Sequence, residues 1–308
     1  MLKILIPSLI VTGLSTQIAL VDAPPKKLDP AAWGADHVGK PIQEYVAGDV
    51  CLFCHRKKIA QEWGENRHNL TIRMPEEKSP ALLALPKSMR EEVDFVMGRR
   101  RVEYLKKSKA YGKLEILSSK PHWDTKKFGQ SCAGCHTTRV DPKDQSFLAL
   151  SIDCFACHGD VDLKHSKKPE LVYLAKKRKD PARVVTSICA QCHIRGGKSK
   201  STGRPYPCNF VPGDNLFRDF KVDFSDKHLN ILNVADRHIM ENVRDVVLYG
   251  KEKVTCLSCH DVHDQSSKKH HRVKWSNICL NCHNATGSKK KRKPFTTHSK
   301  TCEYRGSK

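Results

Sequence analysis

The sequence predicts a mainly α chain with long irregular loops and a small β-hairpin, drawn together by something other than a large apolar core. Three observations carry that expectation. The 308 residues are 39% hydrophobic and 7% aromatic, with a mean hydropathy of -0.55, a thin apolar supply for this length. Periodic apolar stretches are few and short. One pentapeptide, two cysteines three apart with a histidine directly after the second, returns along most of the chain.

That pentapeptide occurs six times and uses twelve of the fourteen cysteines. The copies are CLFCH (Cys51, Cys54, His55), CAGCH (Cys132, Cys135, His136), CFACH (Cys154, Cys157, His158), CAQCH (Cys189, Cys192, His193), CLSCH (Cys256, Cys259, His260) and CLNCH (Cys279, Cys282, His283). Chance would supply roughly 0.03 of them in a chain of this composition. Zinc ribbons repeat CxxC without fixing a histidine at the next position, and a redox dithiol occurs once beside a βαβ pattern. Haem attachment accounts for all three fixed positions. Two sulfurs add across the two vinyl groups of the ring, a two-residue spacer presents both from one short turn, and the next residue lies under the iron. Six covalently attached haem c groups are expected, with the six motif histidines as iron ligands. Each ring brings apolar surface and two tethers, so the expected fold is a compact multihaem cytochrome organised around stacked covalent haems.

Taken in chain order, residues 1–23 read as a signal peptide: Lys3, an apolar run from Ile4 to about Val21, and a small-residue site at Val21-Asp22-Ala23, with an N-terminal anchor as the alternative. Residues 24–308 form one hexahaem domain. The first motif is followed by a long gap in which Val102 to Leu105 and Lys113 to Leu117 alternate around Gly112, the pattern of a hairpin. KPELVYLAKK, begun by Pro169, reads as a short helix. ADRHIMENVRDVVLYG reads as an amphipathic helix with Ile239, Val243, Val246 and Val247 on one face, ending near Gly250. That face is expected to lie on a haem, with His238 reaching toward iron. First cysteines are separated by 81, 22, 35, 67 and 23 residues, so two close doublets suggest a repeated two-haem unit. Cys208 and Cys302 are left over, and a disulfide or two buried thiols are the simplest readings.

Ten histidines lie outside the motifs, enough for a second imidazole on every iron. His68, His165 and His263 stand close after motifs, and His228, His238 and one of the adjacent His270 and His271, taken as His271, complete the expected set. The formal charge of +22 falls to about +16 once propionates and ferric cores are counted. The KKKRK run at Lys289 to Lys293 would suit nucleic acid in a cytosolic protein, but an exported haem chain argues against it. The basic surface is expected to steer toward redox protein partners with acidic docking surfaces, or toward a membrane-associated respiratory complex. Oligomeric state is not legible.

With these motifs laid out, the chain resembles multihaem c-type cytochromes of the superfamily that includes the tetrahaem partner of hydroxylamine oxidoreductase and the pentahaem nitrite reductases. Four stretches carry the likeness: YVAGDVCLFCHRKKIAQEWGENRH, FGQSCAGCHTT running on to IDCFACHGDVDLKH, ICAQCHIRGGKSKSTGRPYP, and VTCLSCHDVH followed by ICLNCH. The resemblance implies parallel and perpendicular haem pairs, and distal ligation by His68, His165 and His263. No CxxCK motif occurs, which lowers the nitrite-reductase reading. The functional expectation is an exported electron carrier that relays single electrons between redox partners and performs no substrate chemistry. The alternatives are an oxidoreductase for a small nitrogen or sulfur compound at one open haem site, and a haem subunit of a respiratory complex or filament.

Overall fold

The computed structural model describes residues 47–99, 101–118, 122–159, 161–250 and 255–263. The signal segment, the sixth motif (Cys279, Cys282, His283), His271 and Cys302 lie outside them. Helix α1 (Gly48–Cys54) carries the first motif and runs through a π-helical turn (Arg56–Ala60) into α2 (Gln61–Trp63). Next comes a five-stranded antiparallel sheet in sequential order: β1 (Ile72–Arg73), β2 (Phe95–Met97), β3 (Glu103–Lys107), β4 (Leu114–Leu117) and β5 (Trp123–Asp124). Two short helices, α3 (Pro80–Leu83) and α4 (Lys87–Arg90), fill the β1–β2 connection.

The expected hairpin is β3–β4, with Leu105 opposite Ile116. It is the centre of a larger sheet, because β1, β2 and β5 are two or three residues long and show no period of their own. Asp124 caps α5 (Thr125–Ser131), accepting the Lys127 N–H at 2.8 Å. The helix packs on β4 and leads into α6 (Ala133–His136), the second motif. Leu105, Ile116, Phe128, Ala133 and Tyr206 close a core of side chains on this flank, each at most 1% exposed.

A second hairpin, β6 (Thr137–Val140) with β7 (Phe147–Leu150), precedes α7 (Cys154–His158), the third motif. Helix α8 (Ala182–His193) ends on the fourth. Then β8 (Lys198–Ser199) pairs with β9 (Phe220–Lys221), and α9 (Leu216–Asp219), α10 (Asp226–Ile231), α11 (Val234–Tyr249) and α12 (Cys256–Cys259) complete the described chain. The amphipathic helix is α11, capped by Asn233 and stopped by Gly250 at φ 61, a left-handed position that glycine adopts without strain. Its apolar face does not wait for a cofactor. Met240, Val243 and Val247 are buried against Ala190, Leu216 and Phe217, so side chains fill the place the sequence assigned to a ring.

One expected helix is absent. Pro169 opens a single 3-10 turn (Pro169–Leu171), Val172 is extended, and Leu174 takes φ 61. Hydrogen bonds from elsewhere in the fold, described below, hold this segment out of the helix its composition favours.

Candidate haem sites

Each described motif lies in or at the end of a helical turn. In α1, α7 and α12 the two cysteines stand three apart within one turn, the spacing that puts both sulfurs on one face. In α8 the motif is the last turn, and Cys132 forms the N-cap of α6. Burial pushes the thiols of Cys132 and Cys157 up to about 11. Burial disfavours a free thiolate there, and a neutral thioether sulfur carries no such cost. The setting therefore fits covalent attachment to a porphyrin.

Cysteines of different motifs also lie near enough to perturb one another's thiols: Cys51 and Cys154, Cys135 and Cys192, and Cys189 and Cys256. These neighbours bring the first motif near the third, the second near the fourth, and the fourth near the fifth.

Motif histidines face partners from outside the motifs. The His55 and His165 rings have centroids 6.0 Å apart with planes at 12°, His158 and His263 are 6.0 Å apart at 23°, and His193 and His68 are 6.1 Å apart at 70°. Two imidazoles bonded to opposite sides of one metal, each through a bond of about 2 Å, have ring centres about 6 Å apart. The separation fits an iron between them.

Ring orientation agrees with this for two of them. His158 Nδ1 lies 2.5 Å from the Tyr173 carbonyl and His165 Nδ1 lies 2.7 Å from that of Asp162. A carbonyl only accepts, so each Nδ1 bears the proton and Nε2 keeps the lone pair a metal needs. Burial lowers the pKa of His158 and of His136, the Arg195 charge adding to the effect at His136, and neutral imidazole is the ligating form.

The His68 and His263 sites are built by one another. Asn66, fully buried, accepts the His68 backbone N–H at 2.9 Å and donates to the Val262 carbonyl at 2.6 Å. The Trp63 ring meets His263 edge-on at 6.1 Å. Thus the WGENRH and CHDVH elements, each read separately from the sequence, lock together across the chain. His68 is tied further by its carbonyl, which accepts the Ile152 N–H at 3.1 Å.

Other expected ligands sit differently. His228 lies in α10 with its Nε2 2.8 Å from where a Gly196 Cβ would stand; that nitrogen is buried without a hydrogen-bond partner, and among the described residues no motif ring faces it. His238 is exposed on α11, its Nδ1 3.4 Å from Asn242 Nδ2. His136 is half-buried, its Nδ1 also without a hydrogen-bond partner, and no imidazole faces it among the described residues. His260 follows α12, its N–H donating to the Cys256 carbonyl at 2.9 Å. Cys208 is a buried thiol, accepting from Arg204 Nη1 at 3.1 Å. The partners that sequence reasoning missed are the carbonyls of Tyr173 and Asp162, since backbone groups carry no residue signature.

Residues 124–208, which hold the motifs at Cys132, Cys154 and Cys189, match the cytochrome c3 family model. No curated protein and no solved structure matches the chain. The family match supports a multihaem c-type cytochrome with covalently bound haem c, used in electron transfer. Among the described residues, no helix is long and apolar enough to cross a membrane.

Proposed function

We propose that this chain is an exported hexahaem electron carrier, relaying single electrons between redox partners through closely packed and mostly bis-histidine haems. The observation that carries the reading is the set of three imidazole pairs, each joining a motif histidine to one outside the motifs at 6.0–6.1 Å. Haem c, when bound, supplies one-electron iron chemistry. The chain's residues fix the coordination. With an imidazole on each side, one ring of two of the pairs held by a backbone carbonyl, neither face would be left to water or substrate, and little would need to move when the oxidation state changes.

Proximity supports a relay. His158 lies near His55, His165 and His263, which puts two imidazole pairs close to one another. Neighbouring sulfurs of Cys135 and Cys192, and of Cys189 and Cys256, support extending the series through the second, fourth and fifth motifs. A formal charge of +22 suits docking to acidic redox partners. Residues 1–23 would direct export.

A second reading has its own observation. His136 faces no imidazole among the described residues, which favours that site if one haem acts on a small nitrogen or sulfur compound. Mass spectrometry and a ferric spectrum test both readings. Six haem masses on the chain, with low-spin iron throughout and no response to nitrite or hydroxylamine, are the expected outcome. Fewer than six haems sinks the hexahaem assignment, and a high-spin component that shifts on adding either compound replaces the relay with catalysis.

A further inference from the structure

We infer that residues 169–180 form a strap in which Arg178 and Asp180 hold the Tyr173 carbonyl against His158 Nδ1, lowering the reduction potential of the iron that His158 ligates. The inference rests on the haem reading above and deepens it.

The segment departs from the helix its sequence favours, and the departure has one geometric result. In a helix the Tyr173 carbonyl would lie along the axis and accept from the next turn. Here Val172 is extended and Leu174 is left-handed, which turns that carbonyl sideways to 2.5 Å from His158 Nδ1. A left-handed leucine is costly and persists only where its surroundings enforce it. Asp180 does so. Its side chain is 3% exposed, one oxygen accepting the Leu174 N–H at 2.6 Å and the other accepting Arg178 Nε at 2.6 Å.

Arg178 completes the clamp. Its guanidinium lies 3.9 Å from the centre of the Tyr173 ring, and Nη1 donates to the Glu170 carbonyl. On another side the Tyr173 hydroxyl closes over Gly213, in space that a Cβ would occupy. The residue is therefore fixed through its ring, its hydroxyl end and the peptide that follows it.

A hydrogen bond from the outer nitrogen of a ligating imidazole raises the basicity of the inner one. A more basic ligand stabilises the oxidised metal and lowers its potential. The contrast within the molecule is His136, whose Nδ1 is buried with no hydrogen-bond partner. Arg178 and Asp180 are thus positioning residues: they touch neither ring nor iron, and act through the Tyr173 backbone.

The test is a spectroscopic redox titration of the haem-loaded full chain, with haem content by mass spectrometry and spin state by electron paramagnetic resonance. Asp180→Asn should move one redox component to higher potential while the others hold, with haem content and the low-spin signal unchanged. Arg178→Lys keeps the charge but loses the planar stack, and should move the same component in the same direction by less. Asp180→Glu should restore it in part. An unchanged titration curve overturns the inference, as does an equal shift of all components. If Asp180→Asn loses haem or fails to fold, Arg178→Lys decides by the same criteria. Failure of the relay reading is seen separately, as a wild-type chain without low-spin covalent haem.

Discussion

On the sheet flank, burial is complete without any cofactor: Leu105, Ile116 and Phe128 meet one another at no more than 1% exposure. On the histidine flank His55 and His193 stand exposed, and the rings that face each other stay 6.0–6.1 Å apart. The first region has the close packing of an ordinary protein interior. The second pairs motif histidines with histidines from outside the motifs, at a spacing that would admit a metal between their nitrogens. The second motif borders the first region, with Cys132 and Cys135 packed against its core, while the facing histidines lie in the second, so substitutions in the two should be separable by what they change most.

The largest effect is expected in the sheet-side core. Phe128, on α5, meets Phe147 edge-on with centroids 6.2 Å apart. Phe128→Ala should cost about 3–5 kcal/mol, the usual loss for a buried phenylalanine. Thermal denaturation should show it as a lowered midpoint, while the haem spectrum of the still-folded protein stays as it was. A changed spectrum below the transition would erase the distinction between the regions.

An intermediate effect should come from the histidine flank. Asn66→Ala leaves the Val262 carbonyl and the His68 N–H without their buried partner, at about 1–3 kcal/mol. Here the spectrum should move as well, because the lost bridge holds His68 and His263, which face His193 and His158. Stability loss with unaltered low-spin signals would show that the asparagine braces the fold without positioning ligands.

The same division explains what the sequence discloses. The β3–β4 hairpin and α11 are legible because their periods run for four residues or more and their ends carry Gly112 and Gly250. The remaining strands of the sheet are legible only through pairing, since two residues have no period. His68, His165 and His263 could be picked out because each closely follows a motif, and the structure brings each to a motif ring. His238 could not be judged from its helix, whose apolar face is taken up by Ala190, Leu216 and Phe217. The strap was misread for a related reason: Pro169 and the lysines after it favour helix locally, but the decisive bonds come from His158 and Asp180.

The smallest effect belongs to the rim of the sheet-side core, and its size depends on pH. Asp144, in the β6–β7 turn, accepts the Ser146 N–H at 2.9 Å and its hydroxyl at 2.7 Å, and lies 3.6 Å from Lys113 Nζ. The Ser146 bonds foremost, aided by Lys113, hold its pKa below the ordinary carboxylate value. A carboxyl whose folded value lies below its unfolded value stabilises the fold above the unfolded value, about 4, and the contribution is lost as pH falls through the folded value. Because the group is exposed, solvent screening limits the effect to roughly 0.5 kcal/mol or less. Asp144→Asn keeps an acceptor oxygen and removes the charge. It should be slightly less stable than wild type at pH 7 and equal to it near pH 2, with the haem spectrum unchanged at pH 7. A deficit of the same size at both pH values would trace the loss to turn geometry, and leave the charge of this rim with no part in holding the sheet.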